Sequence, residues 1–282
     1  MKLCRIGKIG EEKPAIIDKD NNYRDLSSII EDLNSDTLNF NTLEKIEKTD
    51  ISSLPKLDTN LRIGACVSKP SKFIGIGLNF KDHAEEQNLP IPTEPIIFSK
   101  FTSCITGPND PIIVPKGSDH TDWEVELGFV IGKKAINVSV EKALDHVLGF
   151  FLVNDVSERN FQKNKGLTWD KGKGFDTFGP IGPYIITKDE LPDFQKLDMF
   201  LDVDGKRMQT GNTEKMIFDI KTLVSYMSSC MSLHPGDICC TGTPPGVGEN
   251  MSPPKFLKGG EEVVLGIDKL GKQKHQVLPY KE

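Results

Sequence analysis

The sequence predicts an α+β fold that is mostly β. Short apolar or alternating runs of strand length recur from Phe73 to Ile267, separated by turn signals rich in Gly, Pro, Asn and Asp. Helical spacing is confined to a few short stretches. The 282 residues suffice for one large domain, or for one domain with a small appendage.

The elements follow in order. Lys2–Ile6 and Ala15–Asp18 read as short strands. Leu26, Ile29, Ile30 and Leu33 then fall at helical spacing, with Asp25 or Ser27 placed to cap that helix. Asn, Asp, Ser and Thr dominate from Asn34 to Asn60. Residues 1–65 are therefore read as a small, variable N-terminal module, and residues 66–282 as the main domain. In the larger part, strands are expected at Lys72–Gly77, Pro95–Ser99, Asp110–Val114, Asp122–Gly132, Val147–Asn154, Tyr184–Thr187, Met199–Val203 and Val263–Ile267. Val147–Asn154 is a continuous apolar run, as a strand buried on both faces requires. Helices are expected at Phe80–Gln87, Val140–His146 and Ile217–Ser229.

Composition excludes several functions. The formal net charge of −6 leaves no basic face for nucleic acid. No apolar run approaches the roughly 18 residues of a membrane span. The opening MKLCRIGKIGEEKP lacks the apolar core of a signal peptide, which points to the cytoplasm. The cysteines at 4, 66, 104, 230, 239 and 240 show neither zinc spacing nor a disulfide framework, and read as plain small residues. With 2 Trp and 4 Tyr, the chain is poor in the aromatic platforms of carbohydrate-binding modules.

The chemistry concentrates in Thr121-Asp122-Trp123-Glu124-Val125-Glu126-Leu127. On a strand, Glu124 and Glu126 share a face about 6.6 Å apart, close enough to bend toward a common point. They repel unless a cation or proton lies between them. The pattern is either a solvated acidic face or a metal site. Asp155 ends the apolar run Gly149–Asn154, at the rim of the core, where it either caps the next turn or joins the two glutamates. Oxygen ligands of this kind suit Mg²⁺, Mn²⁺ or Ca²⁺. Asp122 lies on the same face, at the strand start. His120, His146, His234 and His275 have no partner pattern and read as structural or solvated.

Five segments in register resemble the fumarylacetoacetate hydrolase family over about residues 72–270. They are Gly77–Glu86 (GLNFKDHAEE), Asp122–Leu127 (DWEVEL), Asn154–Arg159 (NDVSER), Lys171–Pro183 (KGKGFDTFGPIGP) and Thr241–Gly248 (TGTPPGVG). The subgroup is similar to ureidoglycolate lyase and 2,4-diketo-3-deoxy-sugar-acid hydrolase. The resemblance implies a mixed β-sheet roll or barrel-like sandwich, a homodimer, and Mg²⁺ held by Glu124, Glu126 and Asp155. Mn²⁺ or Ca²⁺ are alternatives. It implies C–C hydrolysis of a small 2,4-dioxo acid to pyruvate or a similar acid. The alternatives are ureidoglycolate lyase, or oxaloacetate decarboxylase or tautomerase chemistry at the same site. His83 and Glu86 would activate water, from a helix that acts as a mobile lid, and Lys173 would stabilise an oxyanion. Arg159, Gln162 and Thr243 would bind substrate. Each has a plainer reading: a solvated histidine, a surface lysine, a surface salt bridge, a turn residue.

Overall fold

The computed structural model describes residues 1–166 and 168–281. A nine-stranded mixed sheet forms its centre, in the spatial order Tyr23–Asp25, Lys13–Ile17, Lys2–Ile6, Ile185–Thr187, Val147–Asn154, Val125–Ile131, Ile238–Cys240, Phe73–Gly77, Ile96–Lys100. A five-stranded sheet packs beside it, and two two-stranded ribbons complete the β structure. The sheets are open and do not close into a barrel. The mostly β, α+β architecture matches the sequence prediction.

The central strands are apolar on both faces because both faces are covered. On one side, Val125, Leu127 and Phe129 meet Met199, Leu201, Val263 and Leu265 of the five-stranded sheet, and Leu223 and Met227 of the helix Ile220–Cys230. On the other, Val130, Leu148, Phe151 and Val153 pack with Leu26, Leu33, Leu38 and Ile46. The first 65 residues thus cover the second face, and their strands extend the same sheet through Lys2–Ile6 paired to Ile185–Thr187.

Several elements differ from expectation. Leu26, Ile30 and Leu33 are buried, but Leu26–Leu33 forms turns rather than a helix. The Asp25 carboxylate takes the Ser27 N–H and the Asp32 carboxylate takes the Leu33 N–H, so local side chains satisfy backbone groups that a helix would use. The helix of this region is Phe40–Glu47, capped by Asn39. Val140–His146 is a 3₁₀ rather than an α-helix. The expected strand Asp122–Gly132 divides into Thr121–Asp122 and Val125–Ile131. At the break, the Asn154 and Gln209 side chains bond the N–H groups of Glu124 and Val125.

The register places the site. Val153 pairs with Glu126, and Asn154 with Val125. The next residue, Asp155, donates its N–H to the Glu124 carbonyl at 2.9 Å. Gly128 lies in this layer because a Cβ there would sit 2.5 Å from the Phe151 ring.

Candidate metal centre and active site

Four buried acids, Asp122, Glu124, Glu126 and Asp155, stand among three buried cations, Lys100, Lys173 and Arg159. Lys173 Nζ lies 2.7 Å from both Glu124 Oε2 and Asp155 Oδ2. Lys100 Nζ lies 2.5 Å from Asp155 Oδ1 and donates to the Lys173 carbonyl. Arg159 Nη2 reaches Glu124 Oε1 at 2.8 Å, and its Nε reaches Asp122 Oδ2 at 2.8 Å. Burial opposes ionisation of Glu124, but Lys173 and Arg159 prevail and hold its carboxyl well below the usual range.

Glu126 is the acid left over. Its carboxylate accepts the Gly242 N–H at 2.7 Å and has no ion-pair partner among the described residues. Burial, then the charges of Asp155 and Glu124, push its carboxyl well above the ordinary range. Gly242 reaches it from a backbone φ of +95°, where a side chain would be strained and its Cβ would lie 2.8 Å from Asn79. Glu126, Asp155 and Cys240 bring their ligand atoms within 4.8 Å of one another. Burial pushes the Cys240 thiol well above its ordinary range, so the donors here are the carboxylate oxygens of Glu126 and Asp155, and these suit a hard divalent cation.

A cavity of about 200 Å³ opens above these groups. His83, Glu124, Glu126, Arg159, Gln162, Lys173 and Thr243 all line it. The other two residues singled out in the sequence lie just behind it. Asp155 is beneath Lys173, and Glu86 backs His83, with Nδ1 to Oε2 at 2.9 Å. Burial would raise the Glu86 carboxyl, but hydrogen bonds from His83 and Asn250 hold it below the ordinary range. Glu86 also accepts the Gly246 N–H, which ties the helix Lys81–Glu86 to the loop after Thr243. Gln87 Nε2 sits 2.7 Å from His83 Nε2. Thr243 donates its hydroxyl to the Val125 carbonyl and accepts from Gln209.

The plainer readings fail for Lys173, buried on the short helix Asp170–Lys173, and for Arg159, which is 5% exposed. Asp122 is drawn in as well. It takes Arg159 on one oxygen and the Gly248 N–H on the other, and so positions the guanidinium. Sequence reasoning missed Lys100. Its signal was the alternation Ile96, Phe98, Lys100, which turns Phe98 and Lys100 inward together. It also missed Gln87, Trp169 and Glu249, which line the cavity.

The remaining histidines have local partners. His275 is buried between the Asp110 carbonyl and Gln273 Oε1, and His146 meets the Lys133 carbonyl. Asp119, His120 and Glu158 also approach within 4.8 Å. Glu158 is already occupied there, accepting from Ser118 and the Phe161 N–H. The six cysteines are free thiols, five buried and Cys230 exposed. No described helix is long and apolar enough to cross a membrane.

The family model described as Fumarylacetoacetate (FAA) hydrolase C-terminal matches residues 72–278. The chain belongs to the fumarylacetoacetate hydrolase family, whose members are enzymes acting on oxo acids. It is 55% identical over 274 residues, 97% of each chain, to a Burkholderia ambifaria hydrolase homologue whose name specifies no substrate. Among solved structures, it is similar to maleylpyruvate hydrolase from Sphingobium sp. SYK-6, solved with manganese(II) and pyruvate. That match has 26% identity, a TM-score of 0.82 and 100% coverage of each chain. It is also similar to 5-carboxymethyl-2-hydroxymuconate delta-isomerase from Mycobacterium smegmatis, at 29% identity, a TM-score of 0.79 and 100% coverage of each.

Proposed function

We propose that this protein is a divalent-metal-dependent hydrolase that cleaves a C–C bond of a small 2,4-dioxo acid and releases pyruvate or a similar acid. The observation that carries the reading is the buried carboxylate group Glu124, Glu126 and Asp155 around Lys173, with Glu126 uncompensated. The Sphingobium relative, solved with manganese(II) and pyruvate, supports it. Glu124, Glu126 and Asp155 would hold Mg²⁺, or Mn²⁺ or Ca²⁺ in its place. When bound, the ion supplies Lewis-acid polarisation of the oxo acid.

The chain's own residues do the rest. Arg159, fixed by Asp122, presents a fork of donors to the substrate carboxylate, with Gln162 beside it. Lys173 places its ammonium where negative charge develops on the reacting oxygen. His83 takes a proton from water, and Glu86 holds the ring through Nδ1 so that Nε2 is the base. Gln87 covers that nitrogen, so the end of the helix withdraws when water is engaged. Thr243 keeps one lone pair for a substrate donor, and its main use is to fix the loop wall.

The same contact between Gln87 and His83 favours a second reading, in which no water is activated. The site would then act as an isomerase, tautomerase, decarboxylase or lyase on a related acid. The proposal includes a homodimer and a cytoplasmic location, the location being the part with which free thiols are consistent. The test is pyruvate release from a panel of 2,4-dioxo acids and oxaloacetate, with Mg²⁺ and with EDTA, in the wild type and Glu126→Ala. Metal-dependent release, lost in the variant, is expected. Turnover without uptake of water would install the second reading.

A further inference from the structure

The cavity has two unlike halves. One carries the charged groups described above. The other is a wall of Leu89, Ile96, Phe98 and Trp169. The Phe98 and Trp169 rings pack with centroids 5.7 Å apart. The wall is built into the strand beneath it. At Gly77 a Cβ would lie 2.3 Å from the Trp169 ring, so the ring rests where a side chain would otherwise stand. The wall begins beside the chemistry, since Lys173 Nζ is 5.1 Å from the Phe98 centroid. It continues to the mouth, where Leu89 is 46% and Ile96 36% exposed.

Of the cations that line the cavity, Arg159 and Lys173 are the two that the proposed function assigns to the oxo-acid end. Among the described lining residues, Arg159 faces Asp122 and Glu124, and Lys173 faces Glu124 and Asp155. Lys163 lies 2.6 Å from Glu249, and His83 pairs with Glu86. An ion bound by Glu124 and Asp155 would take over part of the charge that Lys173 now balances. That releases one ammonium for the oxo-acid end of a substrate. Among the described lining residues only Lys163, already paired with Glu249, remains for a second carboxylate at the far end, which would lie against apolar side chains.

We propose that Leu89, Ile96, Phe98 and Trp169 form a specificity wall that selects a 2,4-dioxo monocarboxylic acid with an apolar acyl group. This rests on the proposed function and adds the substrate class. A terminal carboxylate is rejected, and an alkyl or aryl end is taken. Leu89 is the point at which the selection can be changed, because it is half exposed and bears no structural hydrogen bond of its own side chain.

Two measurements separate the wall from the chemistry. The first is kcat/KM, with Mg²⁺, for 2,4-dioxo acids of matched length ending in methyl, phenyl or carboxylate. The phenyl compound is expected to exceed the carboxylate compound by roughly tenfold or more. Leu89→Arg, at an exposed site, is expected to shrink that ratio by a similar factor, the phenyl and carboxylate compounds being compared within the one variant. The second is binding of the same acids followed by Trp169 fluorescence, with Trp169→Phe as the blank. If no acid is turned over, but phenyl still binds at least tenfold tighter than carboxylate, hydrolysis falls and the wall stands. Equal or better use of the carboxylate compound, with the ratio unmoved by Leu89→Arg, overturns the wall and leaves the hydrolase reading intact.

Discussion

Replacing Glu126 by Gln tests the charge arrangement directly. The amide keeps the shape and can still accept the Gly242 N–H, so the change removes the capacity to ionise and little else. The ligand atoms of Glu126 and Asp155 lie within 4.8 Å. At that separation and an effective dielectric near 20, two like charges repel by about 3 kcal/mol. Lys173 offsets part of this, and the raised pKa of Glu126 lets a proton offset more, so about 1–2 kcal/mol should be recovered without metal. At 2–4 °C per kcal/mol for chains of roughly this size, Tm should rise by about 2–8 °C. Metal should do the opposite to the pair. At a hundredfold excess over Kd the wild type gains about 2.7 kcal/mol, or roughly 5–10 °C, and the variant should lose most of that gain. The assay is thermal unfolding of both proteins in EDTA and across a Mg²⁺ or Mn²⁺ titration. A variant that melts lower in EDTA, or keeps the full metal shift, would refute the assignment of Glu126 as the uncompensated ligand.

Three further outcomes follow from the geometry. His83→Gln should lower kcat about 10²–10⁴-fold while leaving the metal-induced Tm shift in place, because His83 lies outside the carboxylate group; joint loss of both would count against its role as base. Lys100→Met should cost about 3 kcal/mol or more in unfolding experiments, since Asp155 would keep its burial and lose an ion-pair partner; a neutral result would show that Lys173 alone suffices. His275 is held neutral by burial, its folded pKa lowered to about 4 from 6.5. Above pH 6.5 it is neutral both folded and unfolded, and on acidification the unfolded chain binds the proton first. Stability from this residue is therefore lost as pH falls from 6.5 to about 4, by about 3 kcal/mol in total, and His275→Gln should flatten that part of a urea-midpoint profile.

How much of this was legible depends on where each element gets its partners. Val147–Asn154 was readable to its ends because burial on both faces demands an apolar run. Lys206–Asn212 and Gly271–Leu278 were not. Their buried positions include the polar residues Gln209, Gln273 and His275, and they gain strand character from pairing, Lys206 with Val203 in a hairpin and Gly271–Leu278 with both Glu262–Ile267 and Ile112–Ile113. The Leu26–Leu33 spacing was a true burial signal attached to the wrong element, because Asp25 and Asp32 supplied turn bonds that periodicity does not weigh.

The candidate site divides the same way. The two-residue spacing of Glu124 and Glu126 was local, and so was the place of Asp155 at the end of an apolar strand. That the three acids meet depends on Val153 pairing with Glu126, a choice of register made between strands. The compensating cations are farther still from local reading. Lys100 comes from the edge strand of the large sheet, Lys173 from a short helix, and Arg159 from a helix of five residues. Taken singly, Lys173 and Arg159 read as surface charges, and only burial changes that. An acid sequestered from water must find a cation, a proton or a metal. The three cations satisfy Asp122, Glu124 and Asp155, and it is the charge they leave over at Glu126 that gives a divalent ion its place in the argument.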